Sequence, residues 1–322
     1  MTDKVIHIKI LVYTLILTLV LGATGCASNK SNPPSLLESE YKRVMERQKQ
    51  IAAADQGTVV PKDLPEMTAE RYEQIGDNHI RQNNAGLAFV NYEKSRRLDP
   101  RRSSVHYKMG ILFLNKGLQE DALKEFEEIL KNDPKYTLAY EGLGQVFFAR
   151  GDWKKARENF IQTLSLDPKM WQAHSYLGII YNHQKNFDAA IKEYEAALVI
   201  NNKSSALYNN AGISYYMKGD YEKAKEHYIK ALRIEPDNKK VYNNLALALC
   251  KMGSYDNAFE AFKKGGNEAS AYNNLGYIYI TEKKYQEAIK TFQRAIELNP
   301  KYYVNAHENM KRAESALKAQ SQ

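Results

Sequence analysis

The sequence predicts an all-α protein, a solenoid of about seven helix–turn–helix repeats, and three observations support this fold class. Apolar residues recur at helical spacing in pairs of short segments. A polar turn separates the two segments of a pair, and the same residue types return about every 34 residues between Ala69 and Tyr302. Self-similarity at such a period is typical of a stacked helical array and not of a single closed core.

Residues 137–170 show the repeated unit most clearly. They contain two apolar stripes at helical spacing, the first at Tyr140, Leu143 and Phe147 and the second at Ala156, Phe160 and Leu164. Arg150-Gly151-Asp152 interrupts the helical period between the stripes, and Asp167-Pro168 ends the second helix. Each repeat is therefore predicted to contain two short helices joined by a tight turn.

Small residues return at the same places in every repeat. The eighth residue is Gly76, Gly110, Gly144, Gly178, Gly212, Ala246 and Gly276 in turn. The residue twelve positions later is Ala88, Ala122, Ala156, Ala190, Ala224, Ala258 and Ala288. Gly inside a helix costs about 1 kcal/mol relative to Ala, so its regular return needs a packing reason. We expect the two helices of a repeat to cross there, with their backbones close together.

This pattern resembles the tetratricopeptide repeat (TPR), which has an aromatic residue, Leu, Gly and an aromatic residue in its first helix and Ala, an aromatic residue, Ala and Pro in its second. The resemblance gives seven repeats, at 69–102, 103–136, 137–170, 171–204, 205–238, 239–268 and 269–302. It implies a right-handed superhelix whose concave face is lined by the first helices. Local departures are Asn202 in place of Pro, and His79 and Leu249 in place of the second aromatic residue.

The end of the array is less regular. The second helix of repeat six, predicted from Tyr255 to Lys264, meets Gly265-Gly266, and Gly is a common helix stop. Repeat seven therefore begins four residues early, which predicts a sharper angle between repeats six and seven. Residues 303–322 are predicted to form a capping helix, which the ends of solenoids require. Its apolar stripe consists of Ala306, Met310, Ala313 and Leu317.

The N-terminus resembles a bacterial lipoprotein signal. Residues 1–25 combine Lys4 and Lys9 with a short apolar run and a small-residue end, and Cys26 follows directly. The resemblance implies cleavage before Cys26 and a diacylglycerol anchor on its thiol. An uncleaved anchor and simple secretion are the alternatives. Ala27-Ser28, without Asp, favours the outer membrane of a Gram-negative cell, with the chain facing the periplasm.

Residues 26–68 are polar and rich in Pro, which indicates a tether. Within it, Ser35 to Ala54 has the spacing of an amphipathic helix, either a cap on repeat one or a separate partner-binding helix. The only other cysteine, Cys250, falls inside a predicted helix. With Cys26 acylated it has no partner for a disulfide, and buried packing is its expected role.

No pattern of catalytic, metal-binding or cofactor-binding residues is present, so we expect no enzyme activity, no metal and no cofactor. The seven histidines form no pair at i, i+4, and no CxxC, HExxH, Walker loop or GxSxG occurs. His106 and His174 occupy an aromatic position of the repeat, where core packing explains them. The net charge of +8 comes from lysines interleaved with glutamates, which is typical of a solvated outer face. We therefore expect no nucleic-acid partner.

The concave positions implied by the resemblance differ between the two ends of the array. Repeats one to four offer a mixed set: Glu73, Tyr107, Lys108, Glu141, Phe148, Tyr176 and Asn182. Repeats five to seven repeat one motif, Tyr208-Asn209-Asn210, Tyr242-Asn243-Asn244 and Tyr272-Asn273-Asn274. Asn both donates and accepts hydrogen bonds, so a ladder of them can hold an extended peptide by its main chain. Alternatively, these asparagines bond within the solenoid.

We define the candidate groove by these asparagines and the apolar residues expected beside them: Asn209, Asn210, Ile213, Tyr216, Asn243, Asn244, Leu247, Asn273, Asn274 and Tyr277. Ile280 is expected to extend the same apolar floor. A clamp for a terminal carboxylate would need basic residues on neighbouring first helices. Only Lys108 and Lys251 are placed for it, so that version has little support.

The predicted function is that of a lipid-anchored scaffold that binds a protein or peptide and assists assembly of an envelope machine. The shortened penultimate repeat, followed by Tyr272-Asn273-Asn274-Leu275-Gly276-Tyr277, resembles the Tad pilus assembly lipoproteins. Pilotin lipoproteins of type IV pili are the near alternative. An adaptor for cell-wall hydrolases and a periplasmic holdase stay open as other classes. The sequence leaves the oligomeric state undetermined.

Overall fold

The structure, a computed structural model, describes residues 67–299 and 303–320. The predicted signal peptide, Cys26 and the tether up to residue 66, including its predicted helix at 35–54, lie outside these residues. All regular secondary structure in the described part is α-helical, which confirms the predicted class. The helices are α1 (Ala69–Arg81), α2 (Ala85–Leu98), α3 (Ser103–Asn115), α4 (Gln119–Asn132), α5 (Thr137–Ala149), α6 (Trp153–Leu166), α7 (Trp171–His183), α8 (Phe187–Ile200), α9 (Ser205–Lys218), α10 (Tyr221–Ile234), α11 (Lys239–Lys251), α12 (Tyr255–Gly265), α13 (Glu268–Thr281), α14 (Tyr285–Leu298) and α15 (Tyr303–Gln320).

Side-chain caps and left-handed turn residues set the helix boundaries within a repeat. Asp152 accepts a hydrogen bond from the backbone N–H of Lys155 at the start of α6, and Asp220 caps α10 in the same way through Lys223. The turn before α10 passes through Gly219, whose φ of 95° favours a residue without a side chain. The tight turns predicted from the sequence therefore have a local chemical cause.

The described helices fall into two compact parts, which we call the N-terminal half (67–173) and the C-terminal half (174–299 and 303–320). One cluster in the N-terminal half is built around Phe126 of α4 and Val146 of α5. In the C-terminal half, one cluster contains Tyr215 and Tyr228, and another contains Cys250. Burial raises the pKa of the Cys250 thiol to about 12, which keeps it protonated and unreactive.

The recurring glycines have a definite packing role. A Cβ on Gly110, Gly144 or Gly212 would lie 2.6 Å from the nearest ring carbon of an aromatic residue on the second helix of the same repeat. These aromatic residues, among them Phe126 and Tyr228, are almost completely buried. We expected the two backbones to lie close together at the glycine. Instead, an aromatic ring of the second helix packs directly against the glycine and occupies the space between the helices. Repeat six is the one repeat without this glycine, and it has Ala246 at the position.

Repeat six ends as predicted and for a different reason. α12 stops at Gly265, but Gly266 has a φ of −153°, so the helix does not end on the left-handed glycine that commonly caps a helix. Close approach explains the two glycines instead. A Cβ on Gly265 would collide with the carboxamide of Asn243, and one on Gly266 with the hydroxyl of Ser270. α13 then begins at once through a capping box between Asn267 and Ser270. The sharper angle between repeats six and seven stays a prediction.

The last helix, α15, packs on repeat seven. Ala306 and Ala313 are fully buried in a cluster with Phe292 of α14, and Met310 packs against the same cluster. Small residues on the inner face allow α15 to lie close to α14. The edge of the array is thereby covered by residues of the chain itself.

The packing of Gly212 leads to a first prediction. The substitution Gly212→Val places methyl groups where the ring of Tyr228 lies, and overpacking of this kind costs about 1–3 kcal/mol of unfolding free energy. We expect a lower midpoint in urea unfolding followed by circular dichroism.

The control for this variant is Ala246→Gly, at the equivalent position of repeat six, which loses only about 1 kcal/mol of helix propensity and leaves no clash. An unfolding midpoint for Gly212→Val at or above that of the parent chain would show that the ring has room to move.

Candidate functional site

All ten residues of the candidate groove lie on α9, α11 and α13, the first helices of repeats five to seven, and all ten are half-buried. A half-buried side chain is held in place by its neighbours and still offers part of its surface to a ligand. None of the ten carries a charge. The structure therefore places them at similar exposure on equivalent helices of the C-terminal half.

Three of the asparagines are bonded to one another. Asn244 of α11 donates from Nδ2 to Oδ1 of Asn209 on α9 at 2.8 Å, and Asn209 contacts Oδ1 of Asn210 at 3.4 Å. A similar bond joins α7 to α9, where Asn182 donates to the hydroxyl of Ser214 at 2.8 Å. These asparagines therefore bond within the solenoid, as the alternative interpretation of the sequence had it, and the bond from Asn244 to Asn209 joins neighbouring repeats.

Two other asparagines behave differently. The Oδ1 atoms of Asn243 and Asn273 are shielded from solvent and have no hydrogen-bond partner. The carboxamide of Asn243 lies against Gly265, where the missing side chain leaves space for it. Buried polar atoms are normally paired, so each exception calls for an explanation. The polar groups of the candidate groove are thus divided into bonded and unbonded sets.

The apolar members of the groove rest on the core of the C-terminal half. Ile213 and Tyr216 pack against the cluster that contains Tyr228, and the ring of Tyr216 lies 5.4 Å from that of Tyr221. Leu247 and Tyr277 pack on the clusters of repeats six and seven. Because the cores beneath fix these side chains, their outer edges form a preformed apolar surface.

The lysine considered for a carboxylate clamp is already engaged. Lys108 of α3 bonds Glu73 and Asp77 of α1, both at 2.7 Å, and Arg102 bonds the second oxygen of Glu73 at 2.5 Å. Burial raises the pKa of Glu73, but the hydrogen bonds from Lys108 and Arg102 outweigh it and the net pKa is lowered. Lys108 therefore holds α3 to α1. Lys251 is exposed on α11, but Lys108 is not available to form a carboxylate clamp with it.

A pattern that the sequence reasoning missed links the fourth residue of a repeat to its second helix. In three of the repeats whose fourth residue is Tyr, a lysine 22 residues later lies near the ring, as in Tyr208 with Lys230 at 6.0 Å and Tyr242 with Lys264 at 5.5 Å. Repeat three has Gln162 at that place and lacks the contact. Where it is His, a Glu lies 19 residues later, and the pair bonds. The matched residue types were visible in the sequence, but only the packing shows that they meet.

His106 has a polar role that packing alone did not predict. Its Nδ1 lies 2.6 Å from Oε2 of Glu125, and its Nε2 lies 2.9 Å from the carbonyl oxygen of Pro100. Both neighbours are acceptors, so the imidazolium, which donates from both nitrogens, suits the site best. The hydrogen bond to Glu125 raises the pKa of His106 above its ordinary value, against the opposing effect of burial. In repeat four, Nδ1 of His174 lies 2.7 Å from Oε2 of Glu193.

This arrangement predicts how stability depends on pH. Because the folded pKa of His106 is raised, its contribution is complete below about pH 6.5, the unfolded value, and is lost as the pH rises through the folded pKa. His106→Tyr installs the residue found at this position in repeat three. We expect it to remove the loss of stability that His106 causes as the pH rises. Thermal unfolding of both chains from about pH 5.5 to about pH 8.5 measures the difference.

Parallel stability curves for the parent and His106→Tyr over that range would contradict the assignment of an imidazolium. The exposed His183 provides the control, since His183→Tyr leaves the buried pair intact.

The remaining chemistry of the described residues is sparse. No group of three or more His, Cys, Asp or Glu side chains in them is arranged to hold a metal ion. None of their helices combines the length and the apolar character needed to cross a bilayer.

Sequence-family models match most of the helical array. Models described as tetratricopeptide repeat match residues 107–158, 141–206 and 269–302, and one described as TPR repeat matches 214–253. Together the matched residues make up more than half of the chain. No curated protein matches the sequence.

Many solved structures are similar in fold. A tetratricopeptide repeat protein from Parabacteroides merdae matches with a TM-score of 0.52 and 18% identity, over 76% of this chain and 98% of that one. The structure of the APC/C hetero-tetramer Cut9-Hcn1 matches with a TM-score of 0.54 and 17% identity, over 86% of this chain and 54% of that one. MamA matches with 26% identity and a TM-score of 0.47, over 51% of this chain and 89% of that one. These likenesses concern the fold.

Proposed function

This chain belongs to the tetratricopeptide repeat proteins, and we propose that it is a non-enzymatic, lipid-anchored scaffold that binds another protein in the bacterial envelope. Its repeats form a framework suited to protein–protein interaction. The partner is a protein or an extended peptide that lies along α9, α11 and α13. The lipid on Cys26 places the scaffold at the membrane, in the inner leaflet of the outer membrane.

One observation carries the binding proposal: the ten uncharged, half-buried residues of the candidate groove. Carboxamides offer a donor and an acceptor to the main chain of an extended peptide, whatever its side chains. The apolar edges of Ile213, Leu247 and Tyr277 offer a surface on which the peptide's own apolar side chains are removed from water. Recognition of this kind involves no ion pair and therefore depends little on salt.

The anchor proposal rests on the N-terminal sequence. A lipoprotein N-terminus carries two or three acyl chains, and more than one chain is what stable membrane attachment requires. The Pro-rich tether between Cys26 and Ala69 gives the repeats reach into the periplasm. A scaffold held at the outer membrane is suited to guiding assembly of a pore or fibre there.

Within this class, assistance in assembly of a pilus or secretion system fits best. The support is the motif Tyr272-Asn273-Asn274-Leu275-Gly276-Tyr277 after a shortened repeat, which resembles the Tad pilus assembly lipoproteins. The apolar part of the groove favours one alternative, a periplasmic holdase that binds many unfolded chains. An adaptor for cell-wall hydrolases would bind a folded enzyme instead.

Cross-linking in intact cells followed by affinity capture and mass spectrometry tests these functions. We expect the parent chain to retain a few pilus or secretin components, and Cys26→Ala to lose them because the scaffold leaves the membrane. Cys250→Ala is the matched control, since Cys250 is buried in the C-terminal half and carries no lipid.

The same broad set of envelope proteins with the parent and with Cys26→Ala would contradict the assembly function and favour the holdase. Capture of a cell-wall hydrolase alone would favour the adaptor.

A further inference from the structure

The bond between asparagines that joins repeats five and six is missing between repeats six and seven. At the first junction, Nδ2 of Asn244 donates to Oδ1 of Asn209. The residues at the same places of the next junction are Asn274 and Asn243. Oδ1 of Asn243 has no hydrogen-bond partner, so this second bond does not form. Identical residue types are present, and the difference must come from the surroundings.

The short second helix of repeat six accounts for the difference. α12 has 11 residues and ends at Gly265, whereas α10 and α14 have 14 each. Gly265 lacks the side chain that would push the Asn243 carboxamide away, and that carboxamide lies directly on it. Its counterpart in repeat five is Ala231. The carboxamide of Asn243 is therefore held towards α12.

The opposite end of the same junction is firmly closed. Tyr255, the first residue of α12, donates its hydroxyl hydrogen to Glu282 at 2.5 Å, just beyond the end of α13. Lys284 bonds the Tyr255 oxygen at 2.5 Å and Glu282 at 3.0 Å. Because this triad fixes repeat seven on repeat six, the asparagines at the other end of the helices are not needed to join them.

We infer that the junction of α11 and α13 is the point where the scaffold grips the main chain of its partner, an extended and uncharged peptide segment. Oδ1 of Asn243 accepts one peptide N–H after its carboxamide turns from Gly265, and the carboxamide of Asn274 donates to a peptide carbonyl. Terminal carboxamide torsions are soft, so this turn is easily made. The inference rests on the proposed function and locates its binding site.

Chemistry around the junction fixes the class of partner. The neighbouring groove residues are Leu247, Asn273 and Tyr277, none of which is charged. None of these three residues has a carboxylate or a base with which to recognise a charged side chain or a chain terminus. The nearby Lys264 lies against the ring of Tyr242, 5.5 Å from its centroid. An internal peptide segment with apolar side chains can form main-chain hydrogen bonds with the unbonded carboxamides. Its side chains can pack against the apolar groove residues.

The test uses random dodecapeptides displayed on phage with flanking residues at both ends, selected on the full-length chain. Affinities of the selected peptides are then measured for the parent, for Asn243→Ala with Asn274→Ala, and for Asn209→Ala with Asn244→Ala. We expect the first pair to weaken binding about tenfold or more without lowering the melting temperature, because no bond within the fold is removed. The second pair removes the existing bond and lowers the melting temperature, with binding at low temperature retained.

Each other outcome is decisive. Selected peptides that bind the Asn243→Ala, Asn274→Ala chain as tightly as the parent would overturn the junction site and leave the proposed scaffold function standing. Selected peptides that all carry acidic or basic residues and lose affinity in high salt would overturn the uncharged partner. Failure to enrich any peptide above the bare support would overturn both the junction site and peptide binding by the groove.

Discussion

Helix pairing in six of the seven repeats depends on one contact, an aromatic ring of the second helix that lies on a glycine of the first. A single added carbon on Gly144 would lie 2.6 Å from the ring of Phe160, which is completely buried. Interiors packed to this density transmit even small changes of volume. The contact therefore sets how closely the two helices of a repeat approach each other.

Once the pairing is fixed, the remaining positions of a repeat can vary. The fourth residue is Tyr beside a cation in some repeats and His beside a carboxylate in others, as Tyr242 with Lys264 and His106 with Glu125 show. Both solutions join the same two helices. Stability of a repeat array is roughly a sum of such local terms, so repeats can differ in chemistry without loss of the fold.

The fold was predictable from the sequence because the residues that determine it lie close together in the chain and return at a fixed period. The end of α12 at Gly265 was predictable from the local pair Gly265-Gly266, but the close approach of neighbouring side chains that requires these glycines was not. The candidate site was predictable only as a set of residues. Asn209 and Asn243 stand in the same Tyr-Asn-Asn motif, yet only Asn209 is bonded to its neighbour, because their surroundings differ through Ala231 and Gly265. Sequence motifs do not show such differences in packing.

The two halves join their first helices by different chemistry, and this difference bears on where a ligand can bind. In the N-terminal half, Lys108 and Arg102 are held by the nearly buried Glu73, and removal of one partner would leave an uncompensated charge. Those groups are committed to the fold. Uncharged carboxamides join the first helices in the C-terminal half, and an unpaired carboxamide costs far less than an unpaired charge. Polar atoms such as Oδ1 of Asn243 can therefore stay unbonded in the fold there and be available to a partner.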